Sequence, residues 1–236
     1  MTTRLGSLNE FCWMDLKTRD LVGTSDFFSK TLGWRFEVDE KDWRRATTIA
    51  VDGHLIGGVS DLANPVYPPE TPAHIAYYLA VEDVDRRVEA ATAHGARLVL
   101  PSFDVGDQGR IATLVDPVGA AFSLWQPHHS GGWKLPSGLS GAPHHMVLTC
   151  DQPDRARHFY EQTTGTPLLC ADFIAGPRAS APQWELAVEV DDLDGVVARA
   201  DGHAHESVTR SGETVCRTVR LRSPEGLFFL VRSLKA

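Results

Sequence analysis

The chain states nearly the same pattern twice, and an internal repeat constrains a fold before any other feature does. Trp13-Met-Asp-Leu-Lys-Thr-Arg-Asp-Leu-Val-Gly-Thr-Ser-Asp-Phe-Phe28 and His145-Met-Val-Leu-Thr-Cys-Asp-Gln-Pro-Asp-Arg-Ala-Arg-His-Phe-Tyr160 each read as a short strand, a polar turn and a helix closing on paired aromatics. A second pair, Leu79-Ala-Val-Glu-Asp-Val-Asp-Arg-Arg-Val88 and Val188-Glu-Val-Asp-Asp-Leu-Asp-Gly-Val-Val197, leads to the turns Asp116-Pro-Val-Gly119 and Ser223-Pro-Glu-Gly226.

The periodicity between these landmarks predicts strand, helix and three strands in succession. A strand at 8–16 precedes a helix from Asp20 to Leu32, with Gly33 at its C-cap. Strands follow at 34–38, 46–51 and 55–59, with Asp52-Gly53 as a hairpin turn. Residues 65–72 hold four prolines and read as a linker. The order restarts with a strand at 74–81, a helix at 84–94 stopped by Gly95, and strands at 96–100, 110–116 and 121–126. The second half is shorter. His145 lies 132 positions after Trp13, whereas Val190 lies only 109 after Val81, so about 23 residues are missing from the third unit. The expected fold is α+β, built of tandem βαβββ units. The expected domains are 1–127 and a truncated 144–236, joined by a Gly/Pro/Ser-rich linker at 128–143.

A length of 236 residues suits two domains of about 115 residues each. A net charge of −8 argues against nucleic acid or an anionic membrane as partner. No apolar run approaches the roughly 20 residues of a membrane span. Cys12, Cys150, Cys170 and Cys216 show no C-x-x-C spacing, which fits a reducing compartment, and the protein is expected to be cytoplasmic. No G-x-S-x-G, P-loop or G-x-G-x-x-G pattern is present, so neither covalent catalysis nor a nucleotide cofactor is indicated.

With Phe-Phe or Phe-Tyr ending the first helix and Asp-Pro-x-Gly before the last strand, the chain resembles the vicinal oxygen chelate superfamily. That group includes glyoxalase I, extradiol dioxygenases and bleomycin-resistance proteins. The strings Phe11-Cys-Trp-Met-Asp-Leu-Lys-Thr18 and Asp116-Pro-Val-Gly-Ala-Ala-Phe-Ser-Leu-Trp-Gln-Pro127 are similar to a two-domain actinobacterial subgroup. The resemblance implies two open, cup-shaped mixed sheets flanked by helices, with the ligand held on the concave face. In the metalloenzymes of the group, His, Gln or Glu point into that cup and hold a divalent metal. Carried onto the first half, those positions fall on Trp13, Ala76 and Ser123, none of them a competent ligand. In the second half they fall on His145, Glu185 and Leu230, and the carboxylate is missing at the last. No metal and no other cofactor is expected.

Alternation along strands puts Trp13 and Asp15 on one face, and the resemblance turns that face into the cup. An acid among aromatics can serve as a general acid or base, or be a structural Asp that accepts hydrogen bonds. His145 and Glu185 form a second candidate acid–base pair, or a satisfied pair at a strand crossing. Ser123 and Trp125 share a face, as do His74, Ala76 and Tyr78, and Trp43 and Arg45 begin a middle strand. Trp13, Trp43, Arg45, His74, Tyr78, Ser123 and Trp125 are therefore the candidate ligand contacts, suited to a flat, partly apolar molecule, although each aromatic could equally fill a core.

The leading functional expectation is a metal-independent enzyme for dehydration, cyclisation or isomerisation of an aromatic or polyketide-like natural product, with Asp15, His145 or Glu185 as acid or base. Its rivals are a bleomycin-resistance-type drug-binding protein without catalysis and a metal-dependent glyoxalase- or dioxygenase-like lyase. The expected partner is a small ligand, with no nucleic acid or membrane, and the chain is expected as a monomer or homodimer.

Overall fold

Aspartates open three of the four described helices, and glycines close α1 (Leu21–Leu32) and α3 (Pro153–Thr164). In the computed structural model, which describes residues 4–40, 46–128, 132–176, 181–211 and 214–233, the Asp20 carboxylate accepts from Gly23 N at 2.8 Å and starts α1 (Leu21–Leu32). Gly33, with φ 72°, ends that helix. Asp83 accepts from Arg86 N at 3.0 Å to open α2 (Val84–Ala93), and Asp192 accepts from Gly195 N at 2.8 Å to open α4 (Leu193–Arg199). The second acid of each doublet in that sequence pair, Asp83 and Asp192, is thus a helix cap. α3 (Pro153–Thr164) begins on its proline and ends at Gly165, φ 80°.

The strands follow the predicted order. β1 (Phe11–Thr18), α1, β2 (Arg35–Val38), β3 (Thr47–Val51) and β4 (His54–Asp61) precede β5 (His74–Ala80), α2, β6 (Arg97–Val105), β7 (Gly109–Val115) and β8 (Ala121–Pro127). β9 (Pro143–Cys150) and α3 lead to a single short strand, β10 (Ala171–Ala175). Then come β11 (Trp184–Val190), α4, β12 (Ala204–Ser211), β13 (Thr214–Arg222) and β14 (Phe228–Ser233). The shortened spacing of the sequence is visible here: among the described residues one strand follows α3, where three follow each other helix of its kind. Asp52 and Gly53 take φ 47° and 77°, the two positive values of the tight turn that joins β3 to β4. Trp34, expected in a strand, precedes β2 and is buried.

Two open mixed sheets result, eight strands in the order β2-β3-β4-β1-β5-β8-β7-β6 and six in the order β10-β9-β11-β14-β13-β12. Parallel pairs β1·β4, β5·β8, β9·β10 and β11·β14 flank the four helix crossovers. By packing, the chain forms two compact units. Unit one takes the described residues of Met1–Trp13, Ala76–Trp133 and His145–Glu185, and unit two those of Met14–Ile75, Lys134–His144 and Leu186–Ala236. No helix among the described residues is long and apolar enough to cross a membrane.

Each unit is centred on aromatic side chains. In unit two, Phe28 stacks on Trp34 at 5.2 Å and Phe229 meets both edge-on at 4.9 and 5.1 Å. The Trp34 indole donates to Gly141 O at 2.8 Å, and Gly141 holds a positive φ of 81° at which a Cβ would lie a tight 3.1 Å from Leu32 O. In unit one, Tyr160 and Phe11 pack on Trp184 with centroids at 5.1 and 4.7 Å, and Phe122 meets Tyr160 at 5.2 Å. Of the aromatics that close α1 and α3, Phe28, Phe159 and Tyr160 are therefore core residues, while Phe27 is half-buried. The thiols of Cys12, Cys150 and Cys170 are also buried, and burial pushes that of Cys12 up to about 12.

The Asp-Pro-x-Gly motif has a structural task. Asp116 Oδ1 accepts from the backbone N–H of Val118, Gly119 and Ala120 at 3.0, 2.8 and 2.8 Å. Its Oδ2 accepts from Tyr160 OH at 3.0 Å, and the Tyr160 oxygen accepts from Trp184 Nε1 at 2.7 Å. Ser223 closes the corresponding turn, its Oγ accepting from Leu227 N at 3.0 Å. Tyr160→Phe is expected to cost about 1–3 kcal/mol, because it strands a buried indole N–H and a buried carboxylate oxygen. Urea unfolding of the variant checks this, and an unchanged midpoint would show that water replaces the hydroxyl.

Candidate functional site

In unit one the alternation of β5, β7 and β8 buries Tyr77, Leu79, Leu114, Phe122 and Leu124 on one side. The opposite side carries Ala76, Tyr78 and Trp125, all half-buried, with Ile111 beside Trp125 in register. Tyr78 stands opposite Ser123 in the parallel β5·β8 pair, and Ser123 opposite Thr113. The two hydroxyls lie 2.9 Å apart. Tyr78 and Trp125 meet edge-to-face at 6.3 Å. Gly109 leaves the indole its place, since a Cβ there would fall 2.7 Å from the ring. Trp13, half-buried on β1, alternates with Cys12 and Met14, which are buried on the other side. This face offers aromatic surface with a small hydroxyl pair. Of the other predicted contacts, His74 begins β5 in unit two with its Nδ1 2.8 Å from Pro72 O. Trp43 and Arg45 lie outside the described residues.

Asp15 is held in unit two by a cluster that the sequence reading did not foresee. Its Oδ2 accepts from Lys17 Nζ and from Ser60 Oγ, both at 2.7 Å. Lys17, two residues along the same strand face, also reaches Ser60 Oγ at 3.3 Å and Tyr67 OH at 3.5 Å, with its ammonium 5.1 Å from the Tyr67 ring centre. Strand pairing explains the meeting, because Ser60 on β4 is the register partner of Lys17. Tyr67 comes from the proline-rich segment, which Arg19 fastens by donating to Leu62 O at 3.1 Å, to Thr71 O at 3.0 Å and to Pro69 O. Burial works to lower the Lys17 value, but the charge and hydrogen bond of Asp15, with help from Tyr67, outweigh it and hold Lys17 above the ordinary lysine range.

His145 and Glu185 both fall in unit one. The carboxylate beside His145 Nε2 is that of Asp172 on β10, at 3.2 Å, and Glu185 accepts from Gln183 Nε2 at 3.2 Å. A further acid, Glu10, is 1% exposed and accepts from Leu169 N at 2.6 Å and Cys170 N at 3.3 Å. Burial raises its carboxyl above the usual range, against those bonds and the nearby His145 charge. Lys17 had a legible signal, the Asp-x-Lys spacing along one strand face. Ser60, Tyr67, Asp172 and Glu10 had none, since long-range pairing alone brings them in.

Of the six metal-ligand positions implied by the resemblance only His145 and Glu185 carry ligand side chains, and these meet Asp172 and Gln183, so the set does not fit a metal. Trp13 and Ala76 carry no donor, the Ser123 hydroxyl is bonded to Thr113, and Leu230 is apolar. Among the described residues no group of three or more His, Cys, Asp or Glu side chains is placed to hold an ion.

The chain, an α+β protein with two open mixed sheets and four helices among its described residues, has the fold of solved glyoxalases and dioxygenases. Within it, residues 13–125 match the Glyoxalase-like domain family. The chain is 27% identical over 93% of its length to CFP32 of Mycobacterium tuberculosis, provisionally named a glyoxylase, and covers 92% of that protein. It is 26% identical over 80% of its length to the anthracycline biosynthesis protein DnrV of Streptomyces peucetius, covering 79% of it. The Mn(II)-bound glyoxalase of Novosphingobium aromaticivorans shares the fold with a TM-score of 0.63 at 15% identity, over 98% of this chain and 83% of that one.

Lys17→Met is expected to destabilise the protein by roughly 3 kcal/mol, because Asp15 would be left without its ammonium, and Lys17→Met with Asp15→Leu should cost less than the two single changes added. Lys17 is raised in the folded state, so its contribution is fully present below the unfolded lysine value of about 10.4 and is lost as pH climbs through the higher folded one. The penalty measured by urea unfolding should thus be level from pH 6 to 9 and shrink at more alkaline pH. A penalty that disappears near neutrality would break this account.

Proposed function

We propose that the protein binds a flat aromatic, polyketide-like small molecule and promotes a proton-transfer reaction on it, a dehydration, cyclisation or isomerisation, without a metal. The observation that carries the reading is that the first-half metal-ligand positions hold Trp13, Ala76 and Ser123, on a face with aromatic and hydroxyl groups. The unit-one face presents Tyr78, Trp125 and the Ser123–Thr113 pair, and aromatic side chains stack on extended ring systems. Asp15, His145 and Glu185 are the candidate acids and bases, and neither a cofactor nor a nucleic-acid or membrane partner enters the reading. The kinship with DnrV, named for anthracycline biosynthesis, supports the ligand class.

A second reading, binding without chemistry as in drug-sequestering proteins, is favoured by one observation. The Asp15 carboxylate oxygen is already engaged by Lys17 and Ser60, which is the arrangement of a structural carboxylate rather than of one reaching for a ligand.

Two measurements separate them. Quenching of tryptophan fluorescence by 1,8-dihydroxyanthraquinone should report binding, and Tyr78→Ala and Trp125→Ala should each weaken it about tenfold through lost stacking. Deuterium exchange at the acidic carbon of anthrone then reports chemistry. Acceleration by the wild type, lost in Asp15→Asn, His145→Ala or Glu185→Gln, supports the enzyme. Tight binding of the anthraquinone with no acceleration selects sequestration, and no binding at all removes the aromatic ligand from consideration.

A further inference from the structure

The candidate ligand face of unit one does not end at Trp125. β6 follows β5, β8 and β7 as the edge strand of the sheet. Register places Phe103 of β6 opposite Ile111 of β7, and Ile111 opposite Trp125 of β8. In the neighbouring row Leu100 stands opposite Thr113, Thr113 opposite Ser123 and Ser123 opposite Tyr78. Paired residues of a sheet share a face, so Phe103 and Leu100 carry the surface of Tyr78 and Trp125 out to the margin. The ion pairs on the other face agree. Arg110 donates to Asp85 of α2 at 2.9 Å and to Asp104 at 3.1 Å, which turns Asp104 toward the helix and its neighbour Phe103 away from it.

Phe103 is the only exposed aromatic side chain among the described residues, the others being buried or half-buried. Its exposure is 44%, the same as that of Leu100. It has no ring partner among the described residues, whereas Tyr78 and Trp125 have each other. Packing within the protein therefore does not account for this ring. The Trp125 indole leans over Gly109, where a Cβ would fall 2.7 Å from it, and Gly109 is the register partner of Val105 on β6. Between the indole and the phenyl the face holds Ile111, Gly109 and Val105, so no charge interrupts its apolar surface.

We infer that Phe103 and Leu100 set the length of the ligand. The face takes a molecule of three or more linearly fused rings laid across the strands, its near ring on Tyr78 and Trp125, its far ring on Phe103, and Leu100 at the rim. The inference rests on the aromatic-ligand reading above and adds to it the ring count and the residues that decide it. β8 and β6 stand two strand spacings apart, roughly 10 Å, a distance that three fused six-membered rings cover and a single ring does not. Covering the Phe103 ring removes apolar area from water and adds an aromatic pair. A shorter ligand leaves that ring as exposed as before.

Fluorescence titration of the full chain with two ligands that share a hydroxyl beside a carbonyl tests it: three-ring 1,8-dihydroxyanthraquinone and two-ring 8-hydroxy-1-tetralone. Phe103→Ala should weaken the anthraquinone about fivefold and leave the tetralone within about twofold of wild type. Phe103→Tyr, which keeps the ring, should bind both as wild type does. Leu98→Ala should change neither, because Leu98 pairs with the buried Leu114 on the opposite face. An unchanged anthraquinone affinity in Phe103→Ala, an equal loss for both ligands, or the same loss in Leu98→Ala would each overturn the inference and leave the aromatic-ligand reading standing. Failure of the wild type to bind either ligand would remove both.

Discussion

The buried chain of hydrogen bonds from Trp184 through Tyr160 to Asp116 is the constraint on which unit one depends. It joins β11, α3 and the turn before β8 by two contacts of 2.7 and 3.0 Å. Burial raises the Asp116 carboxyl above its ordinary range, although three backbone N–H groups and the Tyr160 hydroxyl work against that. The same acid and the surrounding apolar packing push the Tyr160 phenol well above its usual value, burial being the larger cause. A buried polar network is tolerable only when each member is satisfied, and here each oxygen has its donor. The turn is thereby fixed, and with it the start of β8, on which Ser123 and Trp125 stand. Positioning of the candidate ligand face is in this sense inherited from a network that never touches it.

Unit two solves the corresponding problem differently. The equivalent turn has Ser223 in place of the acid, and its anion, Glu225, is turned outward to meet the backbone N–H groups at the start of α1. A helix N-terminus favours negative charge, so a turn between β13 and β14 also serves as an external cap for α1. One sequence motif thus anchors an aromatic core in one unit and a helix end in the other. The cost of each arrangement is a buried or half-buried acid with no freedom to act as a catalyst.

Element order, helix caps and the shortened third unit were legible in the sequence because each is written in local chemistry. Gly33 ends α1 at its predicted C-cap, and Asp52-Gly53 turns where a tight turn is predicted. The faces of β1, β5 and β8 were legible through alternation. The partners were not. Lys17 stands within two residues of Asp15, yet its other contacts, Ser60 and Tyr67, are 43 and 50 positions away. Asp172 meets His145 only because β10 pairs with β9. Phe103 escaped for a related reason. β6 runs on past its predicted end at 100, and only register places that ring on the face of Trp125.

The Asp15 cluster bears directly on which chemistry this fold can support without a metal. A divalent ion stabilises developing negative charge and needs no proton inventory, so chemistry without one requires another source of positive charge. Lys17 is held above the ordinary lysine range by Asp15 and therefore remains an ammonium at neutral pH. A group in that condition is poorly matched to donate and recover a proton in each turnover, for which a value near the working pH is best. It is well suited to stabilise an enolate or phenolate oxygen. If chemistry occurs at this cluster, Lys17 takes the electrostatic part and the carboxylate the proton. That division requires an incoming ligand to draw Lys17 partly off Asp15, which would free the base as the oxyanion arrives.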